Sequence, residues 1–230
     1  MDRSTGTLIL GIGNILWADE GFGVRAADYL HTNWDYDDTV TIMDGGTQGI
    51  YLLQHVEGAE LLVIFDAIDY GLEPGTLKLI EGDDVPNYMG AKKVSLHQTG
   101  FQEVLAMAEM LGRSPRELLL VGVQPKRIED FGGSLHEITR RQIEPAANAA
   151  VEWLAARGIT LTPRRTPRPE SDSIAGHEID MQRYEEQRPD ADVACRVGDD
   201  RVLSSEHYKL APRRSPAGTV SVDVDHRGKY

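Results

Sequence analysis

The chain has 230 residues, 40% of them hydrophobic, enough to bury one sizeable core and leave a modest extension. Its formal net charge of -13 disfavours nucleic acid and anionic membrane as partners, and leaves cations or a basic partner open. A single cysteine, Cys195, excludes an internal disulfide framework and an all-thiolate metal site, and no apolar run approaches the ~18 residues of a membrane span. No secretory pattern opens the chain, so the expectation is a cytoplasmic protein.

Taken in order, the first element is an apolar run (Leu8, Ile9, Leu10) that reads as a buried strand. A glycine turn follows at Gly11 and Gly13, then an acidic pair, Asp19 and Glu20, flanked by Gly21 and Gly23. A helical pattern runs from Val24 to about Trp34. This is not a dinucleotide fingerprint. The third glycine position holds Leu16, and carboxylates at the helix start would repel a pyrophosphate. The Gly-Lys-Ser/Thr triplet of a phosphate loop is also missing.

Thr39–Met43 is a second strand, ending in Asp44-Gly45-Gly46-Thr47, and Ile50 to Val56 is a short helical piece. Leu61–Phe65 is a continuous apolar strand of the kind buried on both faces, closed by Asp66. Thr76–Ile80 is expected as an edge hairpin partner, because the connection before it is too short for a crossover. After a loop with Pro86 and Gly90, the stretch Val94 to His97 leads into a helix over Phe101–Leu111. Leu118–Val123 is another apolar strand. Ser134 to Glu137 has the pattern of a capping box, opening a last helix that reaches Arg157 with a break or restart at Pro145. Strands alternating with helices predict an α/β fold with a mostly parallel sheet and right-handed crossovers.

The composition shifts at Pro163. Six of the 11 prolines lie in Pro163–Tyr230, and charges of both signs alternate there. The expected organisation is one domain over residues 1–162 and a largely disordered extension over 163–230, with a small hairpin from Val193–Val202 and Thr219–Val224 left open.

Four polar residues fall at predicted strand ends or turns: Glu20, Asp44, Asp66 and His97. In a parallel sheet such positions converge at the carboxyl edge. Carboxylates with one imidazole form a mixed oxygen and nitrogen ligand set that suits zinc, nickel or iron, and three ligands with a vacancy suit a metal that acts on something else. Each residue also has a plainer reading. Glu20 complements a helix dipole, Asp44 and Asp66 serve turns, and His97 is a structural histidine. His31, His55 and His136 fall on helical segments as surface or packing residues, and no G-x-S-x-G turn supports a serine triad.

The four stretches GIGNILWADEGFG, MDGGTQG, FDAIDYG and SLHQTG, in this order, resemble the hydrogenase maturation endopeptidases over roughly Thr7 to Gly158. The resemblance implies a single three-layer domain, a twisted sheet of about five strands between helices. It also implies a metal-dependent peptidase that trims the C-terminal tail of the nickel–iron hydrogenase large-subunit precursor. The metal would be nickel carried by that precursor, met by Glu20, Asp66 and His97, with Asp44 assisting cleavage. A monomer is expected. The alternatives are a non-proteolytic nickel-sensing docking module and a small-molecule hydrolase on the same scaffold.

Overall fold

β1 (Gly6–Ile12) is buried from Thr7 onward on both sides, and this burial fixes its place in the middle of a sheet. The computed structural model describes residues 6–86, 96–128, 132–176, 179, 181–186, 213–214 and 220–221, with backbone alone at 96–99, 213–214 and 220–221. The five-stranded sheet has the order β3-β1-β4-β6-β5, where β3 is Val40–Gly46, β4 is Ala59–Ala67, β5 is Leu77–Glu81 and β6 is Glu117–Val123. β3, β1, β4 and β6 are parallel, and β5 closes one edge antiparallel to β6. The edge position of β5 agrees with expectation. Its pairing is with β6, the strand that follows it, and β6 separates it from β4.

Strand periodicity sorts the apolar residues into two cores. Ile9, Val63, Phe65, Leu119 and Val121 face α1 (Phe22–Asn33) and the helix Ile143–Ala155. Leu8, Leu10, Leu62, Ile64 and Leu120 face the opposite layer, with Leu52 and Val56 from the α2 region (Leu53–Val56) and Phe101, Val104 and Ala108 from α3 (Leu96–Met110). The expected three-layer α/β domain is therefore present. Among the described residues no helix is long and apolar enough to cross a membrane.

Two local expectations change. Asp19 and Glu20 belong to a separate 3-10 turn, Ala18–Gly21, and α1 begins only at Phe22. The expected capping box does not form. α4 (Glu137–Arg140) has His136 at its N-cap with no side-chain cap bond, and the Ser134 hydroxyl donates to Glu185 instead. The expected restart is real: α5 (Ile143–Ala155) opens two residues before Pro145, where a missing N–H costs nothing.

The first compact unit is Met1–Arg188 and so runs past residue 162, the expected domain end. β7 (Thr162–Pro163) pairs antiparallel with β2 (Trp34–Asp35). The chain then returns along α1 from its C-terminal end. The Arg164 and Arg168 amides donate to the Asn33 and Thr32 carbonyls at 2.8 and 2.9 Å. These carbonyls lie in the last turn of a helix, where intrahelical partners run out. His31 Nε2 bonds the Asp172 carbonyl at 2.8 Å, and the Ile174 amide donates to Asp28 Oδ1 at 2.9 Å. α6 (Met181–Glu186) ends this strap, with Glu185 paired to Arg140 of α4. The second unit, Pro189–Tyr230, contains β8 (Arg213–Arg214) antiparallel to β9 (Val220–Ser221); Val193–Val202 lies outside the described residues.

Candidate active site

Glycines let the elements of this edge meet. A Cβ on Gly23, at the start of α1, would stand 2.2 Å from both the Ile12 and Phe65 carbonyl oxygens. α1 therefore begins in direct backbone contact with the ends of β1 and β4. Gly13 has φ +129°, and a Cβ there would lie 1.9 Å from the Glu20 carbonyl oxygen, so the turn can fold back over β1 only with glycine. Ala18 takes φ 46°, unusual for a residue with a side chain, at the start of the turn that carries Glu20.

The register brings three acids to one edge on adjacent elements. Gly11 of β1 pairs with Asp44 of β3 on one side and with Phe65 of β4 on the other, so Asp66 is one residue further along β4. Glu20 stands on the 3-10 turn that follows β1 and is half-buried. Asp66 is fully buried, and its Oδ1 accepts the Ala67 amide at 2.7 Å. By alternation Asp66 shares the face of Leu62 and Ile64, which α3 covers, whereas Asp44 shares the face of Val40 and Ile42, which α1 covers.

His97 lies in the first turn of α3, and its side chain is outside the described residues. Its backbone is nevertheless close to the edge. Gly100, one turn later, is near the loop after β3, where a Cβ added to it would meet the Gly49 Cα at 3.5 Å. Among the described residues no three His, Cys, Asp or Glu side chains form a group able to hold a metal ion. The three acids alone are thus not a closed ligand set.

Asp44 Oδ1 is buried with no hydrogen-bond partner among the described residues. Burial pushes its carboxyl above the ordinary range; the Gly46 amide and the Arg25 charge oppose this, and Asp28 adds to it. Such a group takes up a proton more readily than an exposed aspartate, as a general base must.

Three contributors, Asp19 of the acidic pair among them, had no structural task assigned from the residues. Asp19, fully buried, accepts the backbone amides of Lys126 at 2.8 Å, Arg127 at 3.1 Å and His136 at 2.8 Å, and so ties the loop after β6 and the start of α4 beneath the Glu20 turn. Gln124 Oε1 accepts the Tyr70 and Leu72 amides at 2.8 and 3.1 Å, pinning the loop that leaves Asp66. Gly122 pairs with Asp66, and a Cβ there would lie 2.2 Å from the Tyr70 hydroxyl, which fills the space beside that aspartate. Only the placement of Asp19 in the ADEG stretch carried a local signal; the partners of Asp19 and Gln124 are distant in sequence.

Residues 24–153 match the family model described as hydrogenase maturation protease, and the chain belongs to that family of peptidases. It is 55% identical over 201 residues to the hydrogenase expression/formation protein HupM of Azotobacter chroococcum mcd 1, covering 87% of this chain and 95% of the relative. Over 158 residues it is 37% identical to the hydrogenase 2 maturation protease of Escherichia coli, covering 68% and 95%. The solved structure of the hydrogenase maturating endopeptidase HybD from E. coli matches with a TM-score of 0.67 and 36% identity, over 70% of this chain and 98% of that one.

Proposed function

We propose that this protein is an endopeptidase that removes the C-terminal extension of a nickel–iron hydrogenase large-subunit precursor, and that it recognises nickel already carried by that precursor. The observation that carries this reading is the shared register of Asp44 and Phe65 on Gly11. It sets Asp44 and Asp66 on the two strands flanking β1, while the turn after β1 supplies Glu20. In the proposal Glu20, Asp66 and His97 meet the nickel of the substrate. Carboxylate and imidazole are donors this ion accepts, and the start of α3 lies on the same sheet face as Asp66.

Peptide hydrolysis needs charge stabilised on the scissile carbonyl and a water deprotonated beside it, and a metal at the bond can supply the first. Asp44 is assigned the second task. Its carboxyl is partly desolvated and lies at the same edge, so it can orient a water or the peptide and accept a proton. Requiring nickel would make cleavage a checkpoint, since a precursor without the ion lacks the group that docks at Glu20, Asp66 and His97.

The test is mass spectrometry of purified large-subunit precursor incubated with this protein, with the precursor loaded with nickel or left nickel-free. Loss of a C-terminal peptide only from loaded precursor is expected. Equal shortening without nickel overturns the recognition step, and stoichiometric binding with no shortened product overturns proteolysis.

A further inference from the structure

Arg25 is the first long charged side chain on α1, and it is only 5% exposed. Arginine is seldom buried to this extent without a defined role. Its Nη1 donates to the Ile179 carbonyl at 2.6 Å, and its guanidinium lies 5.8 Å from the centroid of the Tyr184 ring. Both of these partners belong to the strap. The strap follows α1 backwards, bonding Asn33 and Thr32, then His31, then Asp28, and reaches Arg25 last, where the helix meets the candidate site.

α1 carries Arg25 past the strand pair that holds Asp44. A Cβ added to Gly11, the register partner of Asp44, would meet the Val24 Cα at 2.6 Å, and Arg25 is the next residue. Asp44 also lies on the sheet face that α1 covers. The charges acting on Asp44 from α1 are those of Arg25 and Asp28, and its own strand adds the Gly46 amide. At the same edge β1 brings the uncharged Gly11, the 3-10 turn carries Glu20, and α3 carries His97.

We propose that Arg25 is a positioning residue for the Asp44 carboxylate, and that the strap (residues 163–176, 179 and 181–186) holds Arg25 in place through the Ile179 carbonyl. This rests on the reading of Asp44 as the group that orients water or the peptide. The strap is then part of the peptidase's working structure. A cation held from behind by a carbonyl cannot swing away, so it keeps Asp44 ionised and aimed while precursor enters and leaves.

The experiment is a carbon-13 NMR titration of the Asp44 carboxyl in the full-length protein, run beside the pH profile of precursor cleavage. In Arg25→Gln, the Asp44 midpoint and the acid limb of the profile should both rise by about one pH unit, because a nearby cation lowers a carboxyl pKa. Arg25→Lys should restore both. Glu185→Ala loosens the strap at its contact with Arg140 without touching Arg25, and it should move the midpoint in the same direction by less. An unmoved midpoint in Arg25→Gln overturns the pairing, and an unmoved one in Glu185→Ala overturns the role of the strap. Full cleavage by Asp44→Asn would instead defeat the reading of Asp44, while the titration still decides whether Arg25 acts on it.

Discussion

Asp19 and His136 are joined twice across the molecule: the His136 amide donates to Asp19 Oδ1 at 2.8 Å, and its ring Nδ1 lies 3.2 Å from Oδ2. The adjacent acid, Glu20, is half-buried at the sheet's carboxyl edge. Of these neighbouring carboxylates in one short turn, Asp19 ties loops together, and Glu20 is the one our proposal sets against the substrate.

These tasks separate on substitution. Asp19→Ala strands the amides of Lys126, Arg127 and His136 in a buried setting and should cost about 3 kcal/mol or more. Glu20→Gln, at a half-buried position and with the side chain's shape kept, should cost clearly less stability than Asp19→Ala, yet abolish precursor processing. Urea denaturation beside a cleavage assay checks both arms.

Gly23→Ala tests the close approach of α1 to the sheet. The added methyl would meet two backbone carbonyl oxygens at 2.2 Å, and neither can turn aside as a flexible side chain would. α1 must lift from β1 and β4, which should cost about 3 kcal/mol and displace the Glu20 turn. A lowered midpoint in thermal unfolding with reduced cleavage is the expected outcome.

Asp44 predicts a trade between stability and activity. Burial raises its carboxyl pKa in the folded protein, so the native state binds its proton more readily than the unfolded chain does. Stability from this group is therefore greatest at low pH and is lost as pH rises from the ordinary aspartate range through the raised folded value. Asp44→Asn should be more stable than wild type at neutral pH, and the gap should close below about pH 3.8. Denaturant melts across pH measure this, and the same variant should cleave poorly.

The main strands are legible because each is an apolar run with its own periodicity: Leu8–Leu10, Leu61–Phe65 and Leu118–Val123 all lie within observed strands. The antiparallel edge at β5 is also legible, since a short connection forbids a crossover. Its partner is not, because neighbour choice is settled by packing of the whole sheet. The capping pattern at Ser134 is locally sound but loses to Glu185, a competitor 51 residues away. The strap is hidden for a related reason. Its prolines and charges look like solvated chain, yet its amides supply partners to carbonyls at the open end of α1. At the site, strand-end positions mark Asp44 and Asp66, whereas Asp19, Arg25 and Gln124 owe their places to bonds across more than 50 residues of chain.

The most direct measurement is processing of nickel-loaded large-subunit precursor by Glu20→Gln, Asp66→Asn and His97→Gln, followed by intact-mass spectrometry, with circular dichroism to confirm that each variant is folded. The account predicts that each folded variant leaves the precursor at full length under conditions where wild type shortens it completely. Complete shortening by all three would contradict it.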